Sequence, residues 1–163
     1  MTIQIRHDMQ TKRHATVWWQ VKVMCGVLLI ANFIVGRLFV PDQTLLALAD
    51  IFPQTLVIAG GAIFIWHFVL VRKQNPSIDQ PSILICRDGL FRFIRHPMYF
   101  SDVVIYAGFA LLHCNLPALG GFVLAVVALV RQARVEDRYM AGIFPKAHAR
   151  WQSRSSLLFP GIL

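Results

Sequence analysis

An all-α integral membrane protein is the fold class this sequence predicts, and three observations predict it. Hydrophobic residues make up 56% of the 163-residue chain and charged residues only 15%, whereas soluble domains carry about 25% charged residues. Four apolar stretches, each bounded by polar or helix-breaking residues, run along it. When these are threaded across a bilayer, all but one of the 16 lysines and arginines fall on the same side. The composition excludes disorder. The net charge of +8 is no nucleic-acid footprint, because the cations sit between apolar spans rather than along one polar face.

The first span centres on the continuously apolar run Val23 to Val35, and with its flanks from Val17 to Val40 it is long enough to cross a bilayer, which takes about 20 residues. The second runs from Ile51 to Val71 and contains Gly60-Gly61. The third begins near Tyr99 and ends at Cys114, where Asn115-Leu116-Pro117 breaks the helix. The fourth runs from Ala118 to Val130. The last two are shorter than a usual span, so a tight helical hairpin is expected that tilts, thins the bilayer or crosses incompletely. The polar N-terminal stretch lacks a small-residue cleavage site after it and predicts no signal peptide, and Trp18-Trp19 fit an interfacial belt. The chain reads as one domain, with residues 1–16 as an N-terminal arm, 17–80 as two spans and a linker, and 81–163 as the functional part.

Charge placement predicts topology. Arg6, Lys12, Arg13 and Lys22 precede the apolar run of the first span, and only Arg37 lies between that run and the second span. Arg72, Lys73, Arg87, Arg92 and Arg95 lie between the second and third, and Arg131, Arg134, Arg138, Lys146, Arg150 and Arg154 follow the fourth. The positive-inside rule then puts both termini and the Arg72–Pro97 segment in the cytoplasm.

Cys25, Cys86 and Cys114 form no C-x-x-C pair, so neither a metal site nor a disulfide framework is expected. A haem between His67 and His113 is disfavoured, because the two lie at opposite ends of their spans. Proton-coupled multidrug transport would need a deep acidic residue in the first two spans, whose centres hold none. Asp102, one turn into the third span, is either a functional ionisable group or a helix-dipole partner. Asn32 suits an interhelical hydrogen bond.

Two segments on the basic side are too rich for connectors: Ser82 to Tyr99, and the tail from Arg131 to Pro160. Their bland readings are lipid-headgroup contacts by Arg92 and Arg95 and a surface-lying amphipathic helix. Glu136, the only glutamate, stands beside Asp137 among arginines. Pattern alone favours a solvated charge cluster there over a designed counter-charge.

Asp88-Gly89-Leu90-Phe91-Arg92-Phe93-Ile94-Arg95-His96-Pro97-Met98-Tyr99 resembles the G-x-[YF]-x-x-x-R-H-P-x-Y signature of the isoprenylcysteine carboxyl methyltransferase and phospholipid methyltransferase superfamily. The tail, from Glu136-Asp137-Arg138-Tyr139-Met140 through Phe144 and Trp151 to Phe159-Pro160, is similar to that family's E-E-x-x-L ending. The likeness spans roughly residues 80–160. Asp137, Pro145, His148 and Trp151 depart from the family's Glu, Gly, Tyr and Tyr.

The resemblance implies a membrane methyltransferase that uses S-adenosylmethionine on a lipophilic acceptor: an isoprenylcysteine-type carboxylate, an amine headgroup or a thiol. It implies a cytoplasmic, cofactor-binding tail and a bacterial inner-membrane location. Cofactor contacts would fall on Ile83, Leu84, Ile85, Cys86, Phe91, His96, Pro97, Met98, Tyr99 and Glu136. Glu136 and Arg95 would be the catalytic pair, with Glu136 holding the cofactor's ammonium, His96 and Tyr99 donating to its carboxylate, and Arg95 adding positive field. Gln132, with Arg131 and Arg134 alongside, stands where carboxyl methyltransferases hold substrate. Partners would be the lipophilic substrate and membrane lipids, with no nucleic acid and no metal. Two other readings stay open. One is a non-catalytic four-helix protein that binds anionic lipid or a partner. The other is a reductase, for which the chain is short.

Overall fold

The computed structural model describes residues 2–39, 51–74, 88–159 and 161, and the described chain is helical. Five helices follow in order: α1 (Thr2–Phe39), α2 (Ile51–Gln74), α3 (Pro97–Leu112), α4 (Leu116–Ile143) and α5 (Pro145–Gln152). A short 3-10 turn, Gly89–Arg92, precedes α3.

Local sequence sets the boundaries. Pro97, Pro117 and Pro145 each occupy the first turn of their helix, where the missing N–H is an orphan in any case. The Asn115 side chain accepts from Ala118 N at 2.8 Å and caps α4. Gly89 starts the 3-10 turn at φ 54°, a left-handed conformation that glycine adopts without steric cost.

Three helical segments are long and apolar enough to cross a membrane: Thr16–Phe39, Ile51–Lys73 and Leu116–Ile143. The third helix, with 16 residues, reaches only about 24 Å at 1.5 Å per residue, short as expected. The fourth corrects the sequence reading, because it runs 28 residues instead of stopping at Val130. Arg131 ends the apolar run but not the backbone hydrogen bonding, and no proline intervenes before Pro145. Glu136 therefore sits on α4 itself rather than in a separate tail.

The packing also refines the hairpin expectation. α3 packs most extensively on α2, and α4 on α1. Glycines permit the first of these contacts: a Cβ on Gly60 would lie 3.0 Å from the Ser101 carbonyl, and one on Gly108 would lie 2.8 Å from the Pro53 carbonyl. Leu29, Ala110 and Ala118 join α1, α3 and α4 in one apolar cluster. Beside it Asn32 makes the interhelical bonds anticipated for it, donating to the His113 carbonyl at 3.2 Å and accepting from Asn115 Nδ2 at 2.9 Å. Outward faces of α1, α2 and α4 expose Leu28, Ile34, Phe52, Ile58, Ile65 and Val123, as a lipid-facing surface requires.

Candidate functional site

The site forms where the segment before α3, the C-terminal half of α4 and the chain after α5 converge. Residues 153–159 turn back and lie beside residues 93–96. Arg95 N donates to the Ser156 carbonyl at 2.9 Å, Ser156 N to the Phe93 carbonyl at 2.9 Å, and His96 N to the Leu157 carbonyl at 3.2 Å. Leu157 and Leu158 are buried, and Phe159 meets Phe100 edge-on. The Trp151 indole donates to the Phe91 carbonyl at 2.8 Å. From the other side His67 Nε2 accepts from Leu90 N at 2.9 Å, while its Nδ1 donates to the Ile63 carbonyl at 2.8 Å. Both nitrogens of His67 are thus engaged, and its imidazole is a pin for the turn. Haem ligation by His67 would break that pin.

Within this frame the two adjacent acids face different partners. Arg95 Nε donates to Asp137 Oδ1 at 2.8 Å, and His148 Nε2 lies 3.0 Å from the same oxygen. A second guanidinium nitrogen of Arg95 donates to the Ser155 carbonyl. Glu136 Oε1 accepts from the Tyr99 hydroxyl at 2.5 Å and from Gln132 Nε2 at 3.0 Å. Glu136 Oε2 lies 3.8 Å from His96 Nδ1, too long for a hydrogen bond. The Glu136 side chain is 37% exposed against 14% for Asp137, so Glu136 is the acid that a ligand can reach.

His96 links the two halves. Its ring stacks on Tyr99 with centroids 5.4 Å apart and planes 5° apart. Burial holds its pKa below the ordinary 6.5 despite the opposing pull of Glu136 and Asp137. Among the described residues, His96 Nε2 and Gln132 Oε1 are buried side-chain atoms without a hydrogen-bond partner. Buried polar atoms left this way are costly unless something satisfies them.

The structure brings Glu136, His96, Tyr99, Gln132 and Arg95 together. The Tyr99 hydroxyl donates its one proton to Glu136. Arg95 is buried and bonded to Asp137 and to the Ser155 carbonyl. Phe91 is buried with its ring edge-on to His67. Pro97 is buried and starts α3, and the Met98 carbonyl accepts from Ser101 Oγ at 2.6 Å. Arg131 and Arg134 are exposed, off the Gln132–Glu136 line. Ile83, Leu84, Ile85 and Cys86 lie outside the described residues.

Sequence reasoning missed Lys22, which it grouped with the flanking cations. Lys22 Nζ pairs with Asp102 Oδ2 at 2.8 Å and lies 4.6 Å from the centroid of the Tyr99 ring. The usable signal was two opposite charges, each about one turn inside a span on the basic side. His148 was noted only as a departure, although it is an Asp137 partner.

A family model described as phospholipid methyltransferase matches residues 51–147, more than half of the chain. No curated protein and no solved structure matches it.

Proposed function

The chain belongs to the phospholipid methyltransferase family, and from that premise we propose that it transfers a methyl group from S-adenosylmethionine to a lipophilic acceptor within the membrane. The family lies in the integral membrane methyltransferase superfamily, and the three long apolar segments agree with membrane residence. The observation that carries the proposal is the Glu136–His96 pair, 3.8 Å apart, with buried, unpaired His96 Nε2 and Gln132 Oε1 on either side. An acceptor oxygen, an imidazole nitrogen and a reachable carboxylate are the groups that a zwitterionic amino-acid head needs.

In this reading Glu136 takes the ammonium of the cofactor through a charge-assisted bond, and Gln132 Oε1 adds an acceptor. His96, neutral because it is buried, donates one N–H to the carboxylate and keeps the other nitrogen unprotonated. Tyr99 and Gln132 hold Glu136 in place. Bound S-adenosylmethionine supplies an electrophilic methyl on a sulfonium, a displacement that needs orientation and water exclusion above all. A carboxylate or thiolate acceptor asks for no strong base, whereas an amine headgroup must first give up its ammonium proton. The basic end carrying the site faces the cytoplasm with both termini, residues 1–163 form one domain, α3 and α4 act as a hairpin whose short first arm leaves the acceptor a route from the bilayer, and the location is a bacterial inner membrane.

Calorimetric titration of the detergent-purified chain with S-adenosylmethionine tests this. Saturable one-site binding is expected, abolished or strongly weakened by Glu136→Ala and His96→Ala; no binding by the parent chain refutes the reading. The exposed Arg131 and Arg134 favour a second reading, non-catalytic binding of anionic lipid. It predicts salt-sensitive vesicle binding that Glu136→Gln leaves unchanged.

A further inference from the structure

We infer that Lys22, on α1, is a positioning residue for the glutamate site: paired with Asp102, it holds the Tyr99 ring so that the Tyr99 hydroxyl fixes Glu136. This deepens the methyltransferase reading and rests on it.

The pair is nearly closed to solvent, with side chains 11% and 12% exposed. Buried ion pairs are seldom the most stable filling for such a space, so its presence calls for a role beyond stability. The position of the cation supplies one. Its ammonium sits 4.6 Å from the Tyr99 centroid, within the range of a cation–π contact. The same ring stacks on His96 and its hydroxyl donates to Glu136 Oε1. One phenol therefore connects the α1 cation to both groups of the proposed binding pair.

Lys22 is itself well placed. Its carbonyl accepts from the Tyr106 hydroxyl at 3.2 Å. One turn on, Gly26 leaves room for that hydroxyl, which a Cβ there would meet at 2.8 Å. Asp102 lies three residues after Tyr99 on α3, on the same helical face. It anchors the ammonium beside the ring. Without Lys22 the ring loses its cation and Asp102 stays as an uncompensated charge next to it. The family match begins at residue 51, so this contribution comes from a helix outside the matched region.

The test is calorimetric binding of S-adenosylmethionine to the detergent-purified full chain. Lys22→Met/Asp102→Asn removes the pair without stranding a charge, and Lys22→Arg keeps a cation that can meet both carboxylate and ring. The double variant is expected to bind about tenfold more weakly, with its thermal midpoint recorded alongside to show that it folds. Lys22→Arg is expected to restore affinity close to that of the parent. In a Tyr99→Phe background, where the hydroxyl is already gone, the double variant is expected to cost nothing further. Parent-like affinity in the double variant, or an equal tenfold loss in the Tyr99→Phe background, overturns the inference while leaving the methyltransferase reading intact. Absence of binding by the parent chain overturns both.

Discussion

Asp137 and Glu136 are consecutive acids on α4, yet their surroundings are built to opposite ends. Around Asp137 every strong partner is protein: the Arg95 guanidinium, the His148 imidazole, and through Arg95 the backbone of the returning chain at Ser155. Around Glu136 the arrangement is half-finished. One oxygen is held by Tyr99 and Gln132, the other is left 3.8 Å from His96, and two buried polar atoms nearby have no partner. The difference teaches how a helix end divides labour. One acid closes the fold, and its neighbour is kept reachable by side chains that spend their own hydrogen bonds on it.

The largest expected effect lies on the closed side. Arg95→Met leaves Asp137, largely shielded from solvent, with only histidine partners and removes the tie to Ser155. Breaking a buried pair this way costs about 3–5 kcal/mol, to be read as a lowered unfolding midpoint in detergent. Glu136→Gln should do the reverse. Its stability change should stay below about 1 kcal/mol, because the amide still accepts from Tyr99. Cofactor affinity should fall by about 1.5–3 kcal/mol, the worth of a charged hydrogen bond. If Glu136→Gln instead unfolds the chain while Arg95→Met spares it, the comparison is inverted.

The division was partly legible in sequence. The apolar stretches and the Asn115 break are local signals, and the structure makes each stretch a helix and keeps the break. The continuation of α4 past Val130 was not legible, since hydropathy records where lipid ends and not where helical hydrogen bonding does. The return of Ser155 to Phe159 beside Arg95 and His96 is a long-range pairing with no local periodicity to announce it. For the same reason the resemblance put Glu136, His96 and Tyr99 in one place but carried no sign of the bonds from Tyr99 to Glu136 and from Arg95 to Asp137. Which partner takes a donor depends on side-chain geometry.

Two smaller effects sharpen the comparison. Trp151→Phe removes the indole bond to the Phe91 carbonyl and should cost about 1 kcal/mol of stability, measured by thermal unfolding, with cofactor affinity nearly unchanged. His96 gives the smallest signal. Burial lowers its folded pKa, so on acidification the unfolded chain takes up a proton that the folded chain resists. Stability should therefore fall as pH drops through the window just below 6.5 and recover above it. His96→Asn should flatten that slope in a pH series of unfolding midpoints.

The central claim is that the Glu136 carboxylate holds the ammonium of the cofactor, and deleting each partner in turn tests it most directly. Equilibrium affinities of S-adenosylhomocysteine and of its analogue lacking the amino group are compared in the parent chain and in Glu136→Gln. Loss of the amino group should weaken binding clearly in the parent and hardly at all in the variant. Equal discrimination in both proteins would mean that the ammonium is recognised elsewhere, and the assignment of Glu136 would be wrong.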